Sequence, residues 1–291
     1  EYAAKSAQQS LLAPPCFAYA LHETTVAPGL DERQRIYQSV DWQWLDVIRL
    51  GTGLTVTAEL QGTTTDATGT NQVGGVEYRD EQGQLIAAAT TRCSRPLAPR
   101  AIGPDQPEGK YTGAELEQIE RAILAESRRG DRPQYWDDVA VGTELGPLTK
   151  GPLSIMDIVA WCAGALGVPD DGDIISAGGL SDEVATGPQL TSWCAQALTD
   201  WASDAGFLHR LHVQIAELPG LGSTTVVGGS VTHRWQAGAN HAVQIALTAK
   251  GRDGRALATA TAIVVLPTHS DAVRLPIAQP LDFQPNGTTQ R

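Results

Sequence analysis

The sequence predicts an α+β protein built from two copies of one unit, a helix wrapped by an antiparallel sheet, with a linker between the copies. Three observations predict it. The passage Arg79-Asp80-Glu81-Gln82-Gly83-Gln84-Leu85-Ile86-Ala87-Ala88-Ala89-Thr90 reads again, in degenerate form, as Arg252-Asp253-Gly254-Arg255-Ala256-Leu257-Ala258-Thr259-Ala260-Thr261, so a hairpin followed by a small-residue strand occurs twice. Gly51 and the alternating Leu54, Val56 and Ala58 find counterparts in Gly222, Thr225 and Val227 at nearly the same offset. The chain's 291 residues exceed the usual single-domain size, and its 42% apolar residues can fill two cores or one shared core.

Residues 1–12 are polar and Ala-rich, and Ala13-Pro14-Pro15 introduces a short apolar helix over Cys16–His22, with the prolines tolerated in its first turn. Aromatic and β-branched residues dominate Arg35–Val47, and strands follow at Leu54–Leu60, Val73–Arg79 and Leu85–Cys93 with Gly and Asp at the turns. Proline-rich Pro96–Lys110 reads as a linker, and Ala114–Arg129 as a charged helix, Glu-rich early and Arg-rich late as the helix dipole favours. Ser154 is placed to cap a helix over Ile155–Leu166. A Gly- and Asp-rich loop, Gly167–Ala185, leads to a longer amphipathic helix that starts at Gly187-Pro188 and reaches about Ala202. Strands recur at His209–Leu218, Thr224–Trp235, Ala242–Lys250 and Ala256–Leu266, before a Pro- and Gln-rich tail. Gly74-Gly75 and Gly228-Gly229 fall inside strand patterns and read as bulges or close approaches.

The net charge of −12 repels phosphate backbones, and Lys and Arg do not cluster, so no nucleic-acid partner is expected. No stretch approaches the roughly 18 apolar residues of a membrane helix, and no secretory leader pattern opens the chain; a cytoplasmic protein with no membrane partner is expected. Cys16, Cys93, Cys162 and Cys194 show no ligand spacing and lie in apolar segments, as reduced, inert thiols do. There is no Gly-x-Ser-x-Gly elbow, no phosphate loop with Lys and no dinucleotide fingerprint, so no cofactor and no metal are expected.

Ala13-Pro14-Pro15-Cys16-Phe17, Trp136-Asp137-Asp138-Val139 to Gly142, Lys150-Gly151-Pro152-Leu153-Ser154, Cys162-Ala163-Gly164-Ala165, Thr186-Gly187-Pro188-Gln189 and Leu198-Thr199-Asp200-Trp201 stand in an order that resembles the two-domain MaoC-like acyl-CoA dehydratases and hydratases, with their fatty-synthase-like first domain. The resemblance spans nearly the whole chain and implies a double hotdog fold: an N-terminal hotdog over 1–97, a linker and charged helix over 98–133, a MaoC-like hotdog over 134–268 and a tail over 269–291. It also implies an acyl thioester as partner, carried on CoA or on acyl carrier protein. Assembly stays open between a homodimer, a heteromer with another hotdog chain, and a monomer whose two copies mimic a dimer.

Hydrating an enoyl thioester takes a carboxylate and an imidazole that share one water, with backbone N–H groups polarising the carbonyl. The family supplies the pair from a loop reading roughly Gly-Asp-x-Asn-Pro-x-His; here Val168 stands at the aspartate position and the histidine position falls near Asp173, so the pair is absent. The acidic run Asp170, Asp171 and Asp173 is a solvated turn, a source of one general base with a carboxyl pKa raised by apolar walls, or a metal site without the regular Ca²⁺-loop pattern. Gly187 stands where the resemblance implies a backbone N–H donor to the thioester oxygen; its alternative role is close helix-to-sheet packing. Gln189 either hydrogen-bonds a substrate carbonyl or faces solvent. His22, at the end of the first helix, is a pocket histidine by the repeat or a surface residue. Tyr37 and Trp42 are core or the wall of an acyl tunnel, and His209, His212 and His233 are structural or exposed.

The function expected is a lyase of the hydratase/dehydratase type with a departed active site. The alternatives are a non-catalytic subunit shaping a partner's acyl tunnel and a repurposed isomerase, cyclase or thioesterase.

Overall fold

A computed structural model describes residues 8–20, 35–98, 110–165, 184–277 and 281. The first half lays down β1 (Ile36–Trp44), β2 (Leu54–Thr65), β3 (Gly69–Asp80) and β4 (Leu85–Pro96). The second lays down β5 (Glu144–Lys150), β6 (Phe207–Ile215), β7 (Thr225–Ala237), β8 (Asn240–Lys250) and β9 (Ala256–Leu266). All nine join one antiparallel sheet in the order β2-β3-β4-β1-β6-β9-β8-β7-β5. Within it the meander β2-β3-β4-β1 recurs as β7-β8-β9-β6, and the two copies meet where β1 pairs with β6.

One spacing along the chain relates the copies. It separates Gly51 from Gly222 and Gly83 from Gly254, four turn glycines with φ of 87°, 77°, 78° and 80°. The same spacing takes the bond from Leu45 N–H to Ile86 O onto that from Ala216 N–H to Leu257 O, each 2.8 Å. It also separates Asp41 from His212, which face each other at the centre of the seam, as a local two-fold axis there requires. The repeat registers on the turn glycines, so Arg79 corresponds to Lys250 rather than to Arg252.

Side-chain alternation decides which face is buried. Val40, Trp42 and Trp44 on β1, with Leu211 and Val213 on β6, point to one face and are buried; Asp41, Gln43, His212 and Gln214 point to the other. Small residues on β4 and β9, among them Ala87, Ala89, Ala258, Ala260 and Ala262, keep that face shallow enough for other elements to lie on it. Three α-helices are described: α1 (Gly113–Leu124), α2 (Ile155–Ala165) and α3 (Gly187–Ala202). The longest, α3, packs on β5, β6, β7 and β9. Its buried stripe, Leu190, Cys194, Ala197 and Leu198, has the spacing of one helical face.

The expected first helix is a 3-10 helix over Pro15–Ala20, since two prolines at its start remove amide donors; His22 lies outside the described residues. α1 ends at Leu124, short of the expected Arg129: the Glu126 N–H tightens onto Ile123 O, and the Arg129 N–H bonds to Asp200 O, drawing the chain onto α3. A capping box between Thr112 and Glu115 starts α1, and Glu115 also pairs with Arg252, whose guanidinium lies 4.2 Å above the Tyr111 ring. The Thr112 N–H and hydroxyl, then Arg252, hold the Glu115 carboxyl down at about 2, so this partly exposed cap is present above the ordinary carboxylate range and is lost only as pH falls through that value.

β5 escaped the sequence pattern because Gly146-Pro147 interrupts it; a register shift between Leu145 and Leu148 accommodates the proline on a sheet edge. Gly75 and Gly229 are close approaches, the first against the Gln61 side chain and the second against the Ala246 carbonyl. No described helix is long and apolar enough to cross a membrane.

The seam mixes one large apolar contact with a half-exposed ion pair, Arg210 to Asp41 at 2.6 Å. Trp42→Ala is expected to cost about 3–5 kcal/mol. Asp41→Ala should cost under about 1 kcal/mol although it bridges the halves, because solvent screens the pair. Urea unfolding of the two variants checks this ordering, and equal losses would contradict it.

Candidate functional site

The head of α3 is the place to account for backbone donors. Thr186 caps it with its side-chain oxygen on the Gln189 N–H at 3.1 Å, and Leu190 N–H reaches Thr186 O at 3.0 Å. Pro188 has no N–H. The Gly187 N–H is therefore the one amide of residues 187–190 with no acceptor among the described residues, at the positive end of a helix of 16 residues. Such a donor is ready to polarise a carbonyl and to stabilise the negative charge that grows on it.

The first half lacks this donor at the equivalent position. Ala13 N–H bonds to Ile48 O as Ala185 N–H bonds to Pro219 O, and the bridge Leu12–Arg49 repeats as Val184–Gly220. Two residues on, Pro15 stands where Gly187 does, and proline has no N–H to offer. One of two related helix heads keeps a backbone donor that the other lacks.

Gly187 is also a close approach. A Cβ there would lie 2.6 Å from Cβ, Cγ and Cδ1 of Tyr37. The glycine thus serves the packing role, and its N–H keeps no acceptor among the described residues. The Tyr37 hydroxyl lies 3.2 Å from that of Tyr19 and 3.4 Å from Thr91 Oγ1, and the Trp42 indole donates to Tyr19 Oη at 2.9 Å. Trp42 is fully buried, stacked on Trp44 at 5.3 Å and on Tyr78 at 5.9 Å, with the Tyr19 ring edge-on to it. Burial pushes the phenols of Tyr19 and Tyr78 above their ordinary pKa, so both stay protonated and act as donors. Tyr37 is consequently at the helix head, while Trp42 stands behind it with its N–H already committed.

Gln189 is 4% exposed, which removes the solvent-facing alternative. Asp170, Asp171, Asp173 and His22 lie outside the described residues. The five described histidines are engaged elsewhere. His209 is buried, its Nδ1 2.8 Å from Trp44 O, and its Nε2 accepts from the Leu281 N–H, so the proton resides on Nδ1. His212 is exposed, His233 bonds to Thr232, His241 packs on Trp136, and His269 pairs with Asp138. Among the described residues no three His, Cys, Asp or Glu side chains could hold a metal ion.

All four cysteines are free; Cys93, Cys162 and Cys194 are buried and Cys16 is half-buried. Burial pushes the thiols of Cys16 and Cys194 up to about 12. Two cavities of about 510 Å³ flank the other end of α3, one lined by Leu148, Arg129, Asp200 and Trp201, the other by Trp44, Val47, Thr199 and Phe207. Thirteen residues of helix put them about 20 Å from Gly187. The start of α3 at Gly187-Pro188 was readable in the sequence, whereas the hydroxyl chain Tyr19–Tyr37–Thr91 joins residues from three elements and left no local signal.

No protein-family model matches the chain, and a search of curated proteins returned no match. Among solved structures it is similar to a MaoC-like dehydratase at 19% identity, covering 90% of this chain and 86% of that one, with a TM-score of 0.66. It is also similar to a putative MaoC domain protein dehydratase from Chloroflexus aurantiacus (10% identity, 92% and 86% covered, TM-score 0.60). A third is a conserved hypothetical protein of Mycobacterium tuberculosis described as having a double hotdog fold (12%, 91% and 84%, TM-score 0.54). The fold of this chain is the double hotdog that these proteins share.

Gly187→Ala is expected to destabilise by about 1–3 kcal/mol through overpacking, and combining it with Tyr37→Ala should cost less than the two changes summed. Denaturant unfolding of the four proteins in this cycle reads the coupling; simple additivity would mean that ring and glycine do not touch. Alkylation at pH 8 should leave Cys16 and Cys194 unlabelled in the folded protein and label all four cysteines once it is unfolded. Fast native labelling of either would contradict the raised thiol pKa values.

Proposed function

We propose that this protein is a hydratase/dehydratase-type enzyme working on an enoyl or 3-hydroxyacyl thioester at the head of α3, without the carboxylate–imidazole pair of its structural relatives. The observation that carries the reading is the Gly187 N–H, which has no acceptor among the described residues, beside a buried aromatic wall. With the thioester oxygen on that N–H, electron density moves from the double bond toward the carbonyl as water oxygen bonds to the β-carbon, and the enolate charge rests at the helix's positive end. A carboxylate takes the water's proton, and the α-carbon is protonated in turn; dehydration runs the same steps backward. Asp170, Asp171 and Asp173 are the candidates for that carboxylate, since the segment that carries them enters α3. His22, from the first half, is a candidate contact for the bound substrate. The carrier is CoA or acyl carrier protein.

A second reading has one observation in its favour: no described histidine is at the helix head. On this reading the chain is a non-catalytic subunit that shapes the tunnel of a catalytic hotdog partner.

Loss of enoyl absorbance, with mass analysis of products, across a panel of enoyl-CoA and 3-hydroxyacyl-CoA thioesters separates the two. Turnover by the protein alone is expected, with one of the three Asp→Ala variants losing about 10²–10⁴-fold. In a Tyr37→Ala background, which makes room, Gly187→Pro should fall about 10²–10³-fold below Gly187→Ala, since only the N–H distinguishes them at this helix position. Turnover that survives all three Asp changes contradicts the carboxylate assignment, and turnover only after a second hotdog protein is added favours the subunit reading.

A further inference from the structure

Two polar atoms beside the helix head are sealed from solvent and bonded to nothing. Gln189 sends Nε2 toward the Asp157 carbonyl at 3.5 Å, and its Oε1, an acceptor, has no partner. Exchanging the amide's ends would set oxygen against oxygen at Asp157, so the orphan is the acceptor. Asp157 belongs to α2, and one turn along the same face stands Trp161, whose Nε1–H, a donor, is also buried without a partner. Trp161 of α2 and Trp193 of α3 each pack on the cluster of Leu153, Ile158, Cys162 and Ala185, which joins α2 to α3. A lone buried acceptor and a lone buried donor each give up hydration for nothing, and native proteins seldom keep such groups without a use.

We propose that Gln189 Oε1 and Trp161 Nε1–H clamp a secondary amide of the bound ligand, Gln189 accepting its N–H and Trp161 donating to its C=O. One group is an acceptor and the other a donor, the complement of the N–H and C=O that a secondary amide presents. This inference rests on the thioester reading. The cysteamine arm of both CoA and acyl carrier protein places an amide two methylenes beyond the sulfur, a span of about one helical turn, and Gln189 follows Gly187 within one turn. With the thioester oxygen on Gly187 N–H, that first amide falls at the clamp. The expectation that Gln189 meets a substrate carbonyl is thereby reversed: it recognises an N–H, and it recognises the carrier arm rather than the acyl chain.

The test uses two unreactive saturated ligands, S-butyryl-N-acetylcysteamine, which has the amide, and S-propyl thiobutyrate, which lacks it. Calorimetry on the full chain should show the first bound about 10–30-fold tighter, the worth of two net hydrogen bonds. Gln189→Leu and Trp161→Phe should each lose most of that preference and leave the plain thioester within about twofold of wild type. Gln189→Leu should also raise the melting temperature of the free protein by about 2 °C, because it removes an unpaired buried acceptor; this shows that the variant folds. Equal binding of both ligands by the wild type, or variants that weaken both alike, would overturn the clamp and leave the thioester reading intact. A wild type that binds neither ligand would overturn that reading, and the clamp with it.

Discussion

The approach of the Tyr37 ring to Gly187 is the contact on which the arrangement of the site depends. Tyr37 is on the first-half strand next to the seam, and Gly187 heads the second-half helix, so the contact sets the helix against the sheet across the two copies. The ring cannot come closer without striking backbone, and any side chain at Gly187 would hold it off. Because the ring occupies the space where a Cβ would be, the helix head comes near the sheet with its first N–H without an acceptor among the described residues. Tyr19 and Thr91 fix the hydroxyl of that ring, and Trp42 fixes Tyr19. The geometry of one backbone donor is thus set by a buried chain of hydroxyls and an indole that never touch it.

Duplication gives the chain two heads for such chemistry, and residue identity decides between them. The equivalent of the free glycine N–H is Pro15, followed by a 3-10 segment rather than by a long helix. A proline closes the position chemically because it deletes the donor, whatever space surrounds it. Asymmetry also shows in what is buried: α3 carries an unpaired glutamine oxygen in its first turn, an expense in stability that a purely structural helix has no reason to bear.

The repeat and the start of α3 were legible because each has a local signature: Gly51 and Gly222 at one spacing, and Gly187-Pro188 before an amphipathic stripe. β5 was not legible, since Gly146-Pro147 erases the alternation and only an edge position tolerates it. The end of α1 was missed because its Arg-rich continuation has good helix propensity, and a tertiary bond from Arg129 to Asp200 O overrides it. Gln189 could be read either as a site residue or as solvent-facing, and its burial became visible only with its side chain reaching the Asp157 carbonyl of α2.

The central claim is that the Gly187 N–H polarises a thioester carbonyl, and the carbonyl stretch of a bound acyl thioester reports this most directly. An isotope-edited infrared difference spectrum of a saturated acyl-CoA labelled at the carbonyl carbon should show the stretch at lower frequency on the protein than in water. It should return toward the aqueous value when Gly187 is replaced by proline in the Tyr37→Ala background. A bound thioester whose stretch matches that of the free ligand, or whose shift survives loss of the N–H, would contradict the account.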